Sequence, residues 1–359
     1  MSCRSFLDWK IFCAVLTRLG ERRYQSSLPL FLPPNRESYT KEDIATARTT
    51  MISAIPLLTD ITTASPASST FPQRRKPLAA LALGPYGALL SPGQEYEGRY
   101  PLPFGESSPS RPAYSSAAFK AVPLPLDRVG TTVDPYEDHL AAFHLGRLDD
   151  FAQSPSFDQL GMIAFETVPM LREARAIRRA MGVFDEARGM QERKPFYISY
   201  VFRGKDVDGA VRYPDSRESG YDFGVVVEHI VEATFGKLES TSAQPGGIGI
   251  NCTSPYHLPI IITELSHALS SRKTNPSCEK PYLILYPDGG EVYDTITRTW
   301  NDTTGSTPKS WAEGVTSSVR LAVRSGSFAG VIVGGCCCAG MDSIRELRMA
   351  CARAGFVQG

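Results

Sequence analysis

The chain has 359 residues, with 38 Lys and Arg against 38 Asp and Glu, so its formal net charge at pH 7 is zero. This balance excludes the basic surface on which nucleic-acid and anionic-membrane binding normally depend. Hydrophobic residues make up 42% and charged residues 21%, which is ordinary globular usage and excludes wholesale disorder. No uncharged apolar stretch reaches the roughly 18 residues of a membrane span. Eight cysteines, three of them contiguous, favour free thiols in a reducing compartment, so a cytoplasmic protein is predicted.

The N-terminal third predicts one helix and two irregular stretches. Thr40 and Asp43 are typical of a helix N-terminus, and Pro56 helps to end that helix. Thr59–Lys76 is rich in Ser, Thr and Pro, and Pro101–Pro125 holds six prolines. Both stretches are therefore predicted to be loops or insertions.

Six short apolar runs, each followed by a loop or a helical pattern, predict the strands of a parallel sheet. They are mostly apolar rather than alternating, as expected for strands that are buried on both faces. The runs are Leu78–Leu83, Met162–Phe165, Phe196–Phe202, Gly247–Ile250, Tyr282–Tyr286 and Val331–Val333. The regular alternation of strand and helix predicts an α/β fold, a (β/α)8 TIM-type barrel.

Two of the intervening helices carry further signals. Asp134 followed by Pro135 is typical of an N-cap and a first helical residue. In the next helix, Arg172, Arg175 and Arg179 lie opposite an apolar stripe. This arginine row is predicted to be a solvated helix face and not a nucleic-acid patch.

Reactive side chains follow several of the predicted strands. Glu166, Asn251, Cys252 and the run Cys336–Cys338 all stand at or just after a strand end. In a parallel barrel the carboxyl ends of the strands share one face, where active sites form. Three thiolates around Zn²⁺ leave the fourth tetrahedral position open, which is typical of a catalytic zinc site. The alternative is that these cysteines are small, buried apolar side chains.

The contiguous cysteines restrict where such a site can form. Neighbouring strand residues point to opposite faces, so Cys336 and Cys337 can bind one ion only where their strand is ending. Gly334 and Gly335 give the backbone the necessary freedom. The sequence contains no phosphate-binding loop, dinucleotide fingerprint or hydrolase nucleophile elbow.

Four motifs resemble the homocysteine S-methyltransferase family and occur in that family's order. They are Phe165-Glu-Thr-Val-Pro169, Gly249-Ile-Asn-Cys-Thr253, Leu285-Tyr-Pro-Asp-Gly-Gly-Glu291 and Gly334-Gly-Cys-Cys337. Gly84-Pro-Tyr-Gly-Ala88 with Gly93-Gln-Glu-Tyr96 resembles the branch that uses S-methylmethionine or S-adenosylmethionine. The resemblance extends from about Lys76 to Gln358.

The resemblance implies a (β/α)8 barrel that binds homocysteine and holds zinc through three cysteines. Those cysteines match Cys252, Cys336 and Cys337, while Cys338 leaves a one-residue ambiguity in which thiols bind the metal. Glu166 would receive the homocysteine ammonium, and Asn251 would also contact the substrate. The alternative for Glu166 is a salt bridge at the rim of the barrel.

Three tyrosines are candidates for the donor side of the site. Tyr86, Tyr96 and Tyr100 would face the sulfonium cation of the methyl donor by cation–π contact. They are equally compatible with aromatic side chains that pack the loops.

The implied activity is zinc-dependent transfer of a methyl group from a sulfonium donor to the thiolate of homocysteine, which gives methionine. Coordination to Zn²⁺ would remove the proton of the homocysteine thiol, whose ordinary pKa of about 8.5 leaves little thiolate at neutral pH. One alternative is a non-catalytic relative that retains a zinc site. Another is a zinc hydrolase, which the all-thiolate ligand set disfavours.

The N-terminus departs from the family pattern. Nothing in the first 20 residues matches the family's Asp-Gly-Gly strand, whose aspartate helps to hold homocysteine. Residues 1–23 are therefore expected to be a divergent or non-family segment, and residues 24–359 a homocysteine-binding barrel with insertions near 59–76 and 101–125. Six strands are identified where a closed barrel requires eight. We expect the barrel to be incomplete and methyl transfer to be weak or absent.

Overall fold

The computed structural model describes residues 27–34, 36–64, 78–106, 110–189, 193–204, 210–238, 241–272, 279–290, 292–294, 299–301 and 306–356. The prediction for residues 1–23 lies outside these residues. Among the described residues, no helix combines the length and the hydropathy needed to cross a bilayer.

Six strands form a single sheet, with neighbours in chain order. They are β1 (Ala80–Leu83), β2 (Met162–Val168), β3 (Phe196–Tyr200), β4 (Gly247–Asn251), β5 (Tyr282–Tyr286) and β6 (Gly330–Val333). The pairs β1–β2, β3–β4, β4–β5 and β5–β6 are parallel. The six predicted runs and the α/β class are thereby confirmed, and the described residues contain six of the eight strands of the predicted barrel.

Ten α-helices occur within the described ranges. They are α1 (Lys41–Ile52), α2 (Ala54–Ala64), α3 (Ser116–Ala121), α4 (Leu126–Val129), α5 (Pro135–Ala152), α6 (Leu171–Arg188), α7 (Phe223–Phe235), α8 (Leu258–Ser271), α9 (Pro308–Ser325) and α10 (Met341–Arg353). Helices α5 to α9 separate consecutive sheet strands after β1, which is the alternation that a parallel sheet requires.

The predicted helix after Thr40 begins as expected and ends differently. The Thr40 hydroxyl accepts from the Asp43 backbone N–H, and the Asp43 carboxylate accepts from the Thr40 N–H, which forms a capping box. Helix α1 ends at Ile52, and α2 follows with Pro56 in its first turn, where no backbone N–H is required. The prediction that Pro56 ends the helix is wrong, and Thr59–Ala64, predicted as irregular, is helical.

The described residues form two compact units. The first contains those up to Phe196, with 237–244, and so includes β1, β2, α5 and α6. The second contains 197–236 and those from 245 onward, and so includes β4, β5, β6 and helices α7 to α10. In the second unit, buried strand residues such as Ile250 and Leu285 belong to the same core as Val227 of α7, Ile261 of α8 and Val315 of α9.

The arginine row of α6 is not a solvated face. Arg175 donates to Glu137 at 2.8 Å, and Arg179 donates to Asp138 at 2.8 Å. Arg172 is paired with Asp134. The prediction failed because these acidic partners lie at the N-cap and in the first turn of α5, about 40 residues away, and a pattern within one helix does not show them.

We expect Arg179→Met to lower the free energy of unfolding by about 3–5 kcal/mol, because buried acidic groups lose their partner. The Arg179 side chain is only 4% exposed, and it also donates to the carbonyl of Val129 at 2.8 Å. Urea denaturation at pH 7 measures the change. Arg345→Met is the matched control, because the Arg345–Asp342 pair is exposed and should contribute at most about 1 kcal/mol. Equal effects of the two substitutions would contradict this prediction.

Asp185 of α6 provides a pH-dependent test of the same unit. Burial raises the pKa of Asp185 to about 6, and the nearby Arg193 and Arg188 only partly oppose this. The folded state therefore binds the Asp185 proton more tightly than the unfolded chain does. In the folded state the Asp185 carboxyl is fully ionised, at a cost in stability, only above about pH 6. We expect the stability difference between Asp185→Asn and the wild type to grow in favour of the variant from pH 4 to pH 6, and then to level off. A difference that did not vary with pH, in urea titrations across this range, would refute the assignment.

Candidate metal centre

Three cysteine sulfurs lie together at the carboxyl ends of β4 and β6. The Sγ atoms of Cys252, Cys336 and Cys337 all lie within 4.8 Å of one another. The separations are 2.7 Å for Cys252–Cys336 and 3.9 Å for both Cys252–Cys337 and Cys336–Cys337. The structure thus brings together the three cysteines that the sequence selected.

The backbone around these cysteines explains how residues from two strands meet. Cys252 follows β4 directly and has φ of 46°, in the left-handed region that few non-glycine residues occupy. Such a conformation costs on the order of 1–3 kcal/mol and occurs mainly at functional sites. Strand β6 ends at Val333, so Cys336 and Cys337 lie in the following loop, free of strand alternation. The expectation that both can turn to one side only beyond the strand is confirmed.

Cys338 does not join the sulfur cluster. Its side chain is exposed, and its φ of 62° lies in the left-handed region. Its backbone packs against Gly289, where an added Cβ would lie 2.8 Å from the Cys338 carbonyl carbon. The sulfur cluster therefore contains Cys336 and Cys337 and not Cys338, and which of these thiols bind a metal stays a prediction.

The three thiols have the electrostatics of a cation site. Hydrogen bonds to the sulfurs of Cys252 and Cys337, together with burial, raise the pKa of the Cys336 thiol well above its usual value. Three thiolates at these distances repel one another strongly, so all three ionise together only when a cation compensates them.

The spacing of the sulfurs also fits a tetrahedral metal. With Zn–S bonds of about 2.3 Å, tetrahedral coordination separates two sulfurs by about 3.8 Å. Two of the three separations, at 3.9 Å, match this value. The Cys252–Cys336 pair at 2.7 Å would widen by about 1 Å on binding. Soft thiolate ligands select zinc over hard cations such as Mg²⁺ or Ca²⁺.

The two polar substrate-binding candidates are both buried. Asn251 is the last residue of β4 and directly precedes Cys252, and its carbonyl accepts from the Thr253 hydroxyl at 2.9 Å. Glu166 lies inside β2, one residue before Thr167, which has φ of 60°. Contact of Glu166 and Asn251 with a substrate stays a prediction.

Two of the three donor-site tyrosines pack inside the first unit. Tyr86 is fully buried, with its ring stacked on Phe104 at a centroid distance of 3.8 Å, and burial raises its pKa. The Tyr100 hydroxyl donates to Glu173 Oε2 at 2.6 Å. Tyr96 is half-buried in the turn that follows Gln94. These positions are those of the packing alternative for Tyr86 and Tyr100, and donor contact stays a prediction for Tyr86 and Tyr96.

A buried polar network supports the Gly84–Tyr86 loop, and sequence reasoning missed it. Glu173 accepts from the Tyr86 backbone N–H at 2.7 Å and contacts His144 Nε2 at 3.0 Å. Arg147 donates to the Gly84 carbonyl at 2.9 Å and to His144 Nδ1 at 2.8 Å. Because arginine only donates, His144 carries its proton on Nε2, and burial lowers its pKa to about 4, so it is neutral at pH 7. The i, i+3 spacing of His144 and Arg147 was the available signal.

The chain is similar to known homocysteine S-methyltransferases. A homocysteine S-methyltransferase from Bacillus subtilis, YbgG, is 28% identical over 279 residues, which are 76% of this chain and 61% of that protein. Homocysteine S-methyltransferase 2 from Zea mays is 29% identical over 270 residues, or 75% of this chain and 57% of that protein. The chain thus spans about 60% of the length of these relatives.

Among solved structures, the metallated form of the homocysteine methyltransferase MmuM from Escherichia coli covers 85% of this chain and 71% of its own, at 17% identity and a TM-score of 0.47. Residues 35–351 match the sequence model described as homocysteine S-methyltransferase. Because that match takes in most of the described residues, including all three clustered cysteines, the chain belongs to the homocysteine S-methyltransferase family.

Proposed function

We propose that this chain binds Zn²⁺ through Cys252, Cys336 and Cys337 and transfers a methyl group from a sulfonium donor to homocysteine, giving methionine. The observation that carries the proposal is the group of three sulfurs within 4.8 Å, at the carboxyl ends of two parallel strands. Three protein ligands leave one tetrahedral position for a substrate sulfur, as in catalytic zinc sites. Such a site requires reduced thiols, which agrees with the predicted cytoplasmic location.

The chemistry needs a nucleophilic sulfur at neutral pH. Zn²⁺ held by Cys252, Cys336 and Cys337 would supply Lewis acidity that lowers the pKa of an entering thiol, whose proton would pass to solvent. The homocysteine sulfur then forms a new bond to the donor methyl carbon as the bond from that carbon to the sulfonium sulfur breaks. The bonding electrons return to the donor, which leaves as a neutral thioether. The protein contributes chiefly the positions of the two reactants.

Glu166 is proposed to bind the ammonium group of homocysteine. It is a buried carboxylate near the carboxyl end of a parallel strand, the end at which active sites form. A charge-assisted hydrogen bond from an ammonium would compensate its burial. Asn251, which adjoins Cys252, is proposed to orient the same substrate through its side-chain amide. The donor is proposed to be S-methylmethionine or S-adenosylmethionine, on the resemblance of the Gly84–Ala88 motif.

The first test measures metal. Purified wild-type protein should contain about one equivalent of zinc, and Cys252→Ala or Cys337→Ala should lose most of it, because two thiolates hold the ion poorly. Cys338→Ala should keep its zinc, since the Cys338 sulfur lies outside the cluster. Zinc content of each variant, measured beside its circular dichroism spectrum, decides this. Equal loss from Cys338→Ala and Cys337→Ala would show that the ligands are assigned one residue out of register.

Activity is tested separately from metal content. Wild-type protein should form methionine from homocysteine and S-methylmethionine only slowly, as the divergent residues 1–23 predict. It should lose this activity with a zinc chelator and regain it when zinc is returned. A chain that bound zinc but made no methionine with either sulfonium donor would favour the non-catalytic alternative. A chain that bound no zinc would contradict the proposal outright.

The role of Glu166 is tested by Glu166→Gln. We expect the KM for homocysteine to rise about 10-fold or more, because the ammonium loses a charged partner. A homocysteine analogue that lacks the ammonium group is the matched control, and its kinetics should barely change. An equal loss with both thiols would assign Glu166 to the structure of β2 and not to the substrate.

A further inference from the structure

The two halves of the sulfur cluster come from strands that are not neighbours. Cys252 follows β4, whereas Cys336 and Cys337 follow β6, and β5 lies between these two strands. The distance between the two halves therefore depends on what occupies the end of β5. That position is held by the loop Pro287–Gly290, here called the β5 loop.

The β5 loop is hydrogen-bonded to both halves of the cluster. On one side, the Asp288 backbone N–H donates to the carbonyl of Thr253, the residue after Cys252, at 3.2 Å. On the other side, the Cys336 N–H donates to the Pro287 carbonyl at 2.8 Å, and the Gly289 N–H donates to the Cys337 carbonyl at 2.8 Å. A movement of this loop would thus change the separation of the sulfurs.

The far side of the cluster is anchored as well. The Thr253 hydroxyl accepts from the Phe202 backbone N–H at 2.9 Å and donates to the Asn251 carbonyl at 2.9 Å. The segment after Cys252 is therefore hydrogen-bonded to β4 and to the residues that follow β3. The position of the β5 loop is then what sets the distance between the two halves of the cluster.

Trp311 of α9 holds the β5 loop in place. Its indole N–H donates to the Asp288 carbonyl at 2.7 Å, and its side chain is buried. Its ring also lies next to Gly335, the residue before Cys336, because an added Cβ at Gly335 would lie 3.4 Å from the Trp311 ring. The Asp288 carboxylate accepts from the Gly290 N–H at 2.9 Å, which fixes the turn from within.

The two glycines of the β5 loop are closely packed or in a conformation that favours glycine. An added Cβ at Gly289 would lie 2.8 Å from both the carbonyl carbon and the carbonyl oxygen of Cys338, closer than real Cβ atoms approach backbone. Gly290 has φ of 97°, a conformation that side chains disfavour. Both glycines are therefore required by the geometry that the tryptophan secures.

We propose that Trp311 is a positioning residue for the metal centre. Through its hydrogen bond to the Asp288 carbonyl it sets the place of the β5 loop, and through that loop it sets the distance between Cys252 and the Cys336–Cys337 pair. The ligand concerned is Zn²⁺, so the inference rests on the proposed function. Groups that orient metal ligands without touching the ion commonly alter metal affinity by about 10–100-fold when they are removed.

The test substitution is Trp311→Phe, which keeps an aromatic ring and removes the N–H donor. Competition with a chromophoric chelator should show zinc affinity about 10–100-fold weaker than that of the wild type. The visible spectrum of the Co²⁺-substituted protein should also change, because it reports the geometry of the thiolate ligands. A change of fold stability alone would not produce that spectral change.

Thr316→Val is the matched control on the same helix. The Thr316 hydroxyl is buried and donates to the Ala312 carbonyl at 2.7 Å, within α9. This variant should bind zinc as tightly as the wild type and give the same Co²⁺ spectrum. Gly289→Ala should reproduce the effect of Trp311→Phe by a different route, since its Cβ pushes the loop from Cys338. It also serves as the test if Trp311→Phe does not fold.

The outcomes separate the two proposals. If the wild type binds zinc and both Trp311→Phe and Gly289→Ala bind it equally tightly, the positioning role is refuted and the proposed function stands. If the wild type binds no zinc at all, the proposed function fails and this inference fails with it. Weaker binding by both variants, with Thr316→Val unchanged, supports the positioning role.

Discussion

The close approach of three cysteine sulfurs is the constraint on which the rest of this site depends. Thiols at separations of 2.7 and 3.9 Å cannot all lose their protons unless a cation lies among them. The fold must therefore bring the sulfurs close enough to share an ion and hold them against their own repulsion. The parallel strands supply the common edge, and backbone hydrogen bonds between the loops supply the resistance.

Backbone groups fix the positions of the three cysteines more than side chains do. Carbonyl and N–H groups of the β5 loop contact the chain on both sides of it, and these contacts depend on the order of β4, β5 and β6 in the sheet. Such contacts transmit position because peptide groups are rigid and planar. Three side chains join them: the Thr253 hydroxyl, the Asp288 carboxylate and the Trp311 indole, which donates to a carbonyl of the same loop. The cluster of three sulfurs thus depends on a larger set of groups that lie outside it.

The sequence predicted those features that depend on local pattern, and it predicted little that depends on distant partners. Apolar runs located all six strands, and motifs located the three cysteines. The row Arg172, Arg175 and Arg179 was misread because its acidic partners lie on α5, one helix earlier. The His144–Glu173 contact and the Trp311–Asp288 bond were invisible for the same reason, since 29 and 23 residues separate the partners. Hydrophobic periodicity indicates which face of a helix or strand is apolar. It does not indicate which group of another element will contact that face.

The left-handed backbone conformation of Cys252 lowers the stability of the fold, whereas its thiol is a proposed metal ligand. Without an ion, the Cys252 side chain keeps its burial and its contacts to the other two sulfurs, whereas glycine would adopt φ of 46° with less backbone strain. Selection for thermal resistance in a zinc-free medium would favour the exchange Cys252→Gly, and erase the site, if the relief of strain exceeded the loss of these contacts. Selection in the presence of zinc would oppose it, because ion binding stabilises only chains that keep the ligand. A cysteine at this position would therefore be favoured by metal binding and not by folding alone.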